Sequence, residues 1–424
     1  MTRKHSERLP VLEQTEPEFA PGVDLPPTEL DRRQLMKLLA AGAALAGVGP
    51  LAGCMEPPRE RIMPRVNQPP ELTPGVPVSY ATTMTIDGYA TGLVVQTLEA
   101  RPIKVDGNPD HAASLGGSTA QHQASLLDLY DPFRMKGALQ GGTPASLERI
   151  LRELGRRAPI RGLWFLMHPQ SSPLVAAQLE RIRTRHPGAR FAYYSPLDRR
   201  AVFEGARLAL GRPLETQYRF ERADVVVSLD ADFTSAMPSS VRWARDFAQR
   251  RRLSWPLGEM SRVYIAEPRP TPTGSVADHR LPTRVSDVPR IAAALLSAIT
   301  KTPVTAGSLT PREQLWVNAA ASDLLTRRGR GVVVTGDRQP AEVHALAHVI
   351  NAAVGGIGST VAYTEPALLD PLGDTLATLA AAIRAGEVGM LVVAEANPVY
   401  TAPDLELSTL LSRVPETIFA VLEL

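Results

Sequence analysis

The sequence predicts an α/β protein built from doubly wound parallel-sheet domains, with a small N-terminal β module ahead of them. From residue 143 onward, short unbroken apolar runs alternate with amphipathic helical stretches, the rhythm of parallel strands covered on both faces. Between 78 and 107 the rhythm differs, with short strand-like runs separated by turn residues. The chain also stops on a strand with no covering helix after it, so the last domain reads as truncated at its C-terminus. With 424 residues, 44% of them hydrophobic, there is material for two or three ordinary cores.

Residues 1–30 are polar, bear prolines and have no apolar period, and they read as a disordered leader. In residues 31–54, Arg32 and Arg33 stand beside Leu35 and Lys37, and 38–51 is apolar with small residues and no charge. This is the pattern of a twin-arginine export signal. The apolar stretch falls short of the ~20 residues a membrane span needs, and Glu56-Pro57-Pro58-Arg59 would end a helix there. Cys54, the only cysteine, closes Leu51-Ala52-Gly53-Cys54, where a bacterial lipoprotein signal would be cut and acylated. The competing reading is a core helix with a chance cysteine, but that helix would be apolar all round and glycine-rich. A single thiol can neither form an internal disulfide nor hold an iron–sulfur cluster.

Residues 55–77 form a proline-rich linker. In the module 78–140, strands are expected at 80–84, 92–97 and 102–105, closed by Asp106-Gly107-Asn108-Pro109. An α/β domain of dinucleotide type follows at 141–300, its strands 163–167, 190–194, 224–229 and 262–266 expected in one sheet. Its helices are expected at 145–157, 173–185, 200–210, 239–252 and 288–300. A second, incomplete α/β domain at 301–424 takes strands 331–335, 390–394 and 417–422 with helices 312–326, 341–354 and 375–385.

A net charge of +2, from 46 basic and 44 acidic residues, indicates neither a nucleic-acid groove nor a polybasic membrane patch. In doubly wound sheets, ligands sit beyond the carboxyl ends of strands, so the segments just after each strand are the candidates. Thr335-Gly336-Asp337-Arg338-Gln339-Pro340 leads into a helix N-terminus, a geometry suited to an anion. Ala396-Asn397-Pro398, Asp230-Ala231-Asp232-Phe233 and Glu267-Pro268-Arg269 also follow strands. Gly336, Asp337, Arg338 and Asn397 are the candidate wall of a vestigial nucleotide pocket, although any one such turn is also ordinary punctuation. His344 and His348 have the spacing of metal ligands on a helix but lack a third ligand, and read as a packed or exposed pair. Gly355-Gly356-Ile357-Gly358-Ser359 follows a helix and reads as its C-cap. No nucleophile elbow or Cys–His pair is present, and His168 with Ser171 is only suggestive, so no catalytic residue and no metal ligand is assigned.

As a series these segments resemble the molybdopterin oxidoreductase superfamily. Ala100-Arg101-Pro102-Ile103-Lys104-Val105-Asp106-Gly107-Asn108-Pro109 is similar to the hairpin near the start of those enzymes, and Leu129-Tyr130-Asp131-Pro132-Phe133-Arg134 to the segment after it. Ala223-Asp224-Val225-Val226-Val227-Ser228 with Asp232-Phe233 resembles the next landmark. Glu267-Pro268-Arg269 through Ala277-Asp278 and Leu281-Pro282 resembles the dinucleotide-side loop, with Glu267 where the family usually has aspartate. The signal, Arg61-Ile62-Met63-Pro64-Arg65-Val66 and the stretch 339–348 narrow the resemblance to the large iron–sulfur subunit of bacterial alternative complex III.

That resemblance implies a molybdopterin-like part without molybdenum cofactor, the iron–sulfur clusters being held in a following part or a partner. It implies partners in a membrane quinol-oxidising complex: an iron–sulfur protein or domain, quinol-site subunits and cytochrome c subunits. The place implied is the periplasmic face of the inner membrane. Two rival readings are an active molybdopterin-dependent oxidoreductase subunit and a solute-binding lipoprotein. Against the second stands the absence of an aromatic-rich cleft, with aromatics at only 5%. Replacing Cys54 by Ser is expected to release the exported chain from the membrane. Intact-mass analysis showing an unmodified Cys54 in the exported wild type would refute lipidation.

Overall fold

The structure is a computed structural model, and it describes residues 33, 34, 36, 37, 73–157, 159–252, 260–304 and 307–420. Chain contacts divide it into two units, 1–71 and 72–424. In the first unit, Arg33, Gln34, Met36 and Lys37 are helical and exposed. Arg32, Cys54 and the leader lie outside the described residues. Among the described residues no helix is long and apolar enough to cross a membrane.

The second unit begins with β1 (Val78–Ile86), β2 (Tyr89–Leu98) and β3 (Arg101–Gly107), an antiparallel sheet in the order β1-β2-β3. Next come α1 (Ala120–Tyr130), a short β4–β5 hairpin (Leu139–Gln140, Thr143–Pro144), α2 (Leu147–Arg156), β6 (Leu163–Met167), α3 (Pro173–Arg185), β7 (Arg190–Tyr193) and α4 (Arg200–Leu210). The middle of the chain supplies β8 (Glu215–Tyr218), β9 (Val225–Leu229), α5 (Ser240–Arg250), β10 (Arg262–Glu267), α6 (Pro272–Ser275), β11 (His279–Pro282), α7 (Val288–Thr300) and α8 (Pro311–Thr326). The last part holds β12 (Gly331–Thr335), α9 (Ala341–Ala353), β13 (Val361–Thr364), β14 (Asp374–Thr375), α10 (Leu376–Arg384), β15 (Met390–Ala394), α11 (Pro398–Thr401), α12 (Leu407–Leu411) and β16 (Thr417–Ala420).

The architecture is α/β, with two parallel sheets in the orders β11-β10-β9-β12 and β14-β7-β6-β15-β16. This corrects the expectation of a single sheet within 141–300. Strands β6 and β7 pair in a sheet with β15, from beyond residue 300, whereas β9 and β10 pair in the other sheet with β12. The cause is physical: apolar runs of five residues mark buried strands but carry nothing that selects a neighbour, and a crossover can return on either side of the strand it left.

Helix boundaries follow local chemistry. Thr310 caps α8 with a full capping box to Glu313, behind Pro311 at the first helical position. Ser172 caps α3, also with proline following. The helix α1, which hydrophobic periodicity did not reveal, is fixed by a box between Thr119 and His122 and buries only His122.

Each strand of the four-stranded sheet shows a different set of side chains to each face. Val225, Val227, Leu229, Tyr264 and Val333 pack under α7, α8 and α9 against Ile291, Leu295, Val317 and Ile350. Val226, Val263, Val332 and Val334 meet Phe220, Phe233, Trp243 and Phe247 on the other face, where Phe220 and Phe233 stack at 4.3 Å between ring centroids. In the five-stranded sheet, Trp164, Leu166, Leu391 and Val393 pack on α10 and α12, and Met167 and Phe191 on Leu179 of α3. Val226 is fully buried. Val226→Asp would bury a carboxylate among apolar groups, and thermal unfolding should show a loss of about 3 kcal/mol or more.

Candidate functional site

In the four-stranded sheet the chain leaves β9 towards β10 and β11 on one side and returns as β12 on the other, which makes the β9/β12 carboxyl ends a topological switch point. Gly336, Asp337 and Arg338 stand there, as their place after a strand predicts. The crevice is closed by the protein itself. Asp230, the residue after β9, takes a left-handed φ of 59° and accepts from Nε and Nη2 of Arg338, at 2.6 and 2.5 Å, and from Gln339 Nε2 at 2.8 Å. Gly336 donates its N–H to the Leu229 carbonyl, and a Cβ there would lie 2.0 Å from the Asp230 carbonyl oxygen. Glycine is thus required for close packing of two loops rather than for a ligand. In the adjacent loop Glu267 is fully buried and takes Arg280 at 2.5 Å and Thr271 at 2.7 Å, closing another strand end with an internal ion pair.

Asn397 lies after β15, at the corresponding β6/β15 switch point of the other sheet, and does not join the first three residues. Its side chain caps α11 by accepting from the Tyr400 N–H at 3.3 Å. Nearby, beyond β7 and β14, opens a cleft of about 350 Å³. Five aspartates reach it, Asp87, Asp198, Asp370, Asp374 and Asp404, against Arg199 and Arg200. Asp87 comes from the β1–β2 turn and accepts from Ser195 Oγ at 2.5 Å. Gly88 in that turn packs where a Cβ would lie 2.7 Å from the Pro169 carbonyl oxygen, so the hairpin tip is seated at the strand ends.

Arg199 joins the parts. It is buried, donates to Glu215 at 3.1 Å and Asp337 at 3.2 Å, and contacts the Tyr89 hydroxyl, which itself donates to Glu215 at 2.7 Å. Burial works against the guanidinium charge, yet Asp337, Tyr89 and Glu215 hold its pKa above the ordinary value. Burial raises the Asp337 carboxyl above its usual range despite Arg199 beside it. Sequence reasoning missed Arg199, Glu215 and Tyr89. Tyr89 lies 110 residues from Arg199 and no motif spacing links the three, so no local signal could have found them.

His344 and His348 face α4 and β13. Gly205 of α4 allows the close approach, since a Cβ there would sit 2.3 Å from His344 Cβ, and His348 Nδ1 lies 2.9 Å from the Tyr363 hydroxyl. Among the described residues no group of three or more His, Cys, Asp and Glu could hold a metal. The pair packs in the interior.

A pterin dinucleotide needs free cations or bare amides for its pyrophosphate. At these strand ends Arg338, Arg280 and Arg199 are each engaged by carboxylates, and the open cleft carries more acidic than basic groups. The residues present do not fit that group.

The fold and site thus define an α/β protein with two parallel sheets in which Arg338, Arg280 and Arg199, near the strand ends, are paired with the chain's own carboxylates. The sequence matches no protein-family profile and no curated protein. Among solved structures, a chain of the formyltransferase/hydrolase complex FhcABCD from Methylorubrum extorquens, in complex with methylofuran, is similar over 65% of this chain and 79% of its own. The identity is 13% and the TM-score 0.41.

Burial lowers the pKa of His344 to about 3 and that of His348 to about 4. Both are neutral in the folded and unfolded chain above the ordinary histidine value of about 6.5. Below it the unfolded chain takes up protons that the folded chain refuses, so stability falls as pH drops from about 6.5 towards 4 and 3. The expected slope is of order 1.4 kcal/mol per pH unit for each histidine. Denaturant unfolding across that range should show it, and a His344→Gln/His348→Gln variant should have a flatter acid limb.

Proposed function

We propose that this chain is a cofactor-free, molybdopterin-oxidoreductase-like scaffold subunit of a respiratory quinol-oxidising electron-transfer complex of the alternative complex III kind. In this reading lipid on Cys54 holds it to the periplasmic face of the inner membrane after twin-arginine export. Iron–sulfur clusters sit in a partner protein or domain, beside quinol-site and cytochrome c subunits.

The observation that carries the reading is the closure of the β9/β12 switch point by Asp230. Its carboxylate takes up Arg338 and Gln339, so the crevice that would seat a nucleotide is filled by the chain's own loops. A fold kept without its pocket is kept for its surfaces. The signal-like residues 31–54 support the membrane assignment, and the series of superfamily-like segments supports the complex.

The rival reading, an active molybdopterin enzyme, requires metal and pterin in the chain. Purified protein is expected to be colourless and free of stoichiometric molybdenum, iron and zinc. Elemental analysis finding about one molybdenum per chain, lost on Arg338→Ala, would overturn the scaffold role. Affinity purification from native membranes should recover an iron–sulfur protein and a cytochrome c; recovery of neither would count against the complex.

A further inference from the structure

A second, smaller cavity, of about 10 Å³, lies between α4, β8, β12 and α9, lined by Thr216, Thr335, Asp337, His344 and His348 among others. Each of these five contributes a buried polar atom that has no hydrogen-bond partner among the described residues: Thr216 Oγ1, Thr335 Oγ1, Asp337 Oδ1, His344 Nε2 and His348 Nε2. Buried polar atoms in folded proteins are satisfied by protein or by ordered water, so five orphans around one space call for a common partner. The volume is roughly that of one water-sized sphere, at the lower limit for holding a water molecule.

We propose that this cavity is a binding site for one structural water molecule, which links the Arg199–Asp337 pair to the two buried histidines. One water, with two donor and two acceptor positions, satisfies four of the five orphans. A neutral His344 with its proton on Nδ1 presents the unpartnered Nε2 as an acceptor. Asp337 Oδ1 is a second acceptor, and together they take the two protons of the water. With Tyr363 donating to Nδ1 of His348, Nε2 of that ring carries a proton and donates to the water oxygen. A threonine hydroxyl, Thr335 or Thr216, supplies the fourth bond. A metal ion is disfavoured, because no group of three ligands among the described residues could hold one and Arg199 already places a full positive charge beside Asp337.

Two measurements on the full chain test this. A crystal structure resolving ordered solvent should show a single spherical peak within about 3.2 Å of His344 Nε2 and Asp337 Oδ1, with no anomalous signal at the zinc edge. Oxygen-17 relaxation dispersion should count one long-lived water fewer in Thr335→Ile, whose larger side chain takes up the cavity. No peak, an anomalous metal peak, or an unchanged count in a folded variant would overturn the proposal. If Thr335→Ile does not fold, the wild-type density decides alone.

Discussion

The molecule depends on one buried guanidinium. Arg199 follows β7 of the five-stranded sheet, Asp337 follows β12 of the four-stranded sheet, Glu215 opens β8, and Tyr89 opens β2 of the antiparallel module. Each of these parts has its own sheet, and the polar contact they share is this cation with its two carboxylates and a phenol. Taking a charge out of water is costly, and the cost is recovered only when geometry and partners are good. Two carboxylates left facing one another without the guanidinium would cost of order 3–5 kcal/mol, so the parts are held in one arrangement rather than merely in contact.

The same economy runs along the strand ends. Parallel sheets present strand-end loops and helix N-termini at their carboxyl ends, the usual setting for an anionic ligand. Here carboxylates of the chain take that place: Asp230 on Arg338 and Glu267 on Arg280. Asp230 adopts a left-handed backbone to do so, a conformation that non-glycine residues hold only when neighbours enforce it. The proposed scaffold role rests on this internal satisfaction of charge, and the resemblance supplies the setting in which a scaffold would act.

Much of the fold was legible in residue order. The strands at 163–167, 331–335 and 390–394 and the helices at 173–185, 200–210 and 288–300 fall where hydrophobic period places them, the first helix also marked by its Ser172-Pro173 start, because short apolar runs and helical periods act locally. Short strands such as His279–Pro282 and Asp374–Thr375 were not legible, being brief and polar, and they exist because a neighbouring edge offers them hydrogen bonds. Of the candidate wall, Gly336, Asp337 and Arg338 could be placed at a strand end, but their engagement with Asp230 and Arg199 spans more than a hundred residues. Asn397 shared their local signature and proved to belong to another sheet.

The sequence by itself determined the α/β class, the ordering of apolar strands and capped helices, and the charge balance, since each follows from side-chain chemistry over a few residues. Only the tertiary structure decided which strands are neighbours, dividing β6 and β7 from β9 and β10 although only the short β8 lies between them in the chain. It also decided the state of the strand ends, because whether an arginine is free to meet a ligand depends on which distant carboxylate folding brings within about 3 Å of it, and no local pattern encodes that distance.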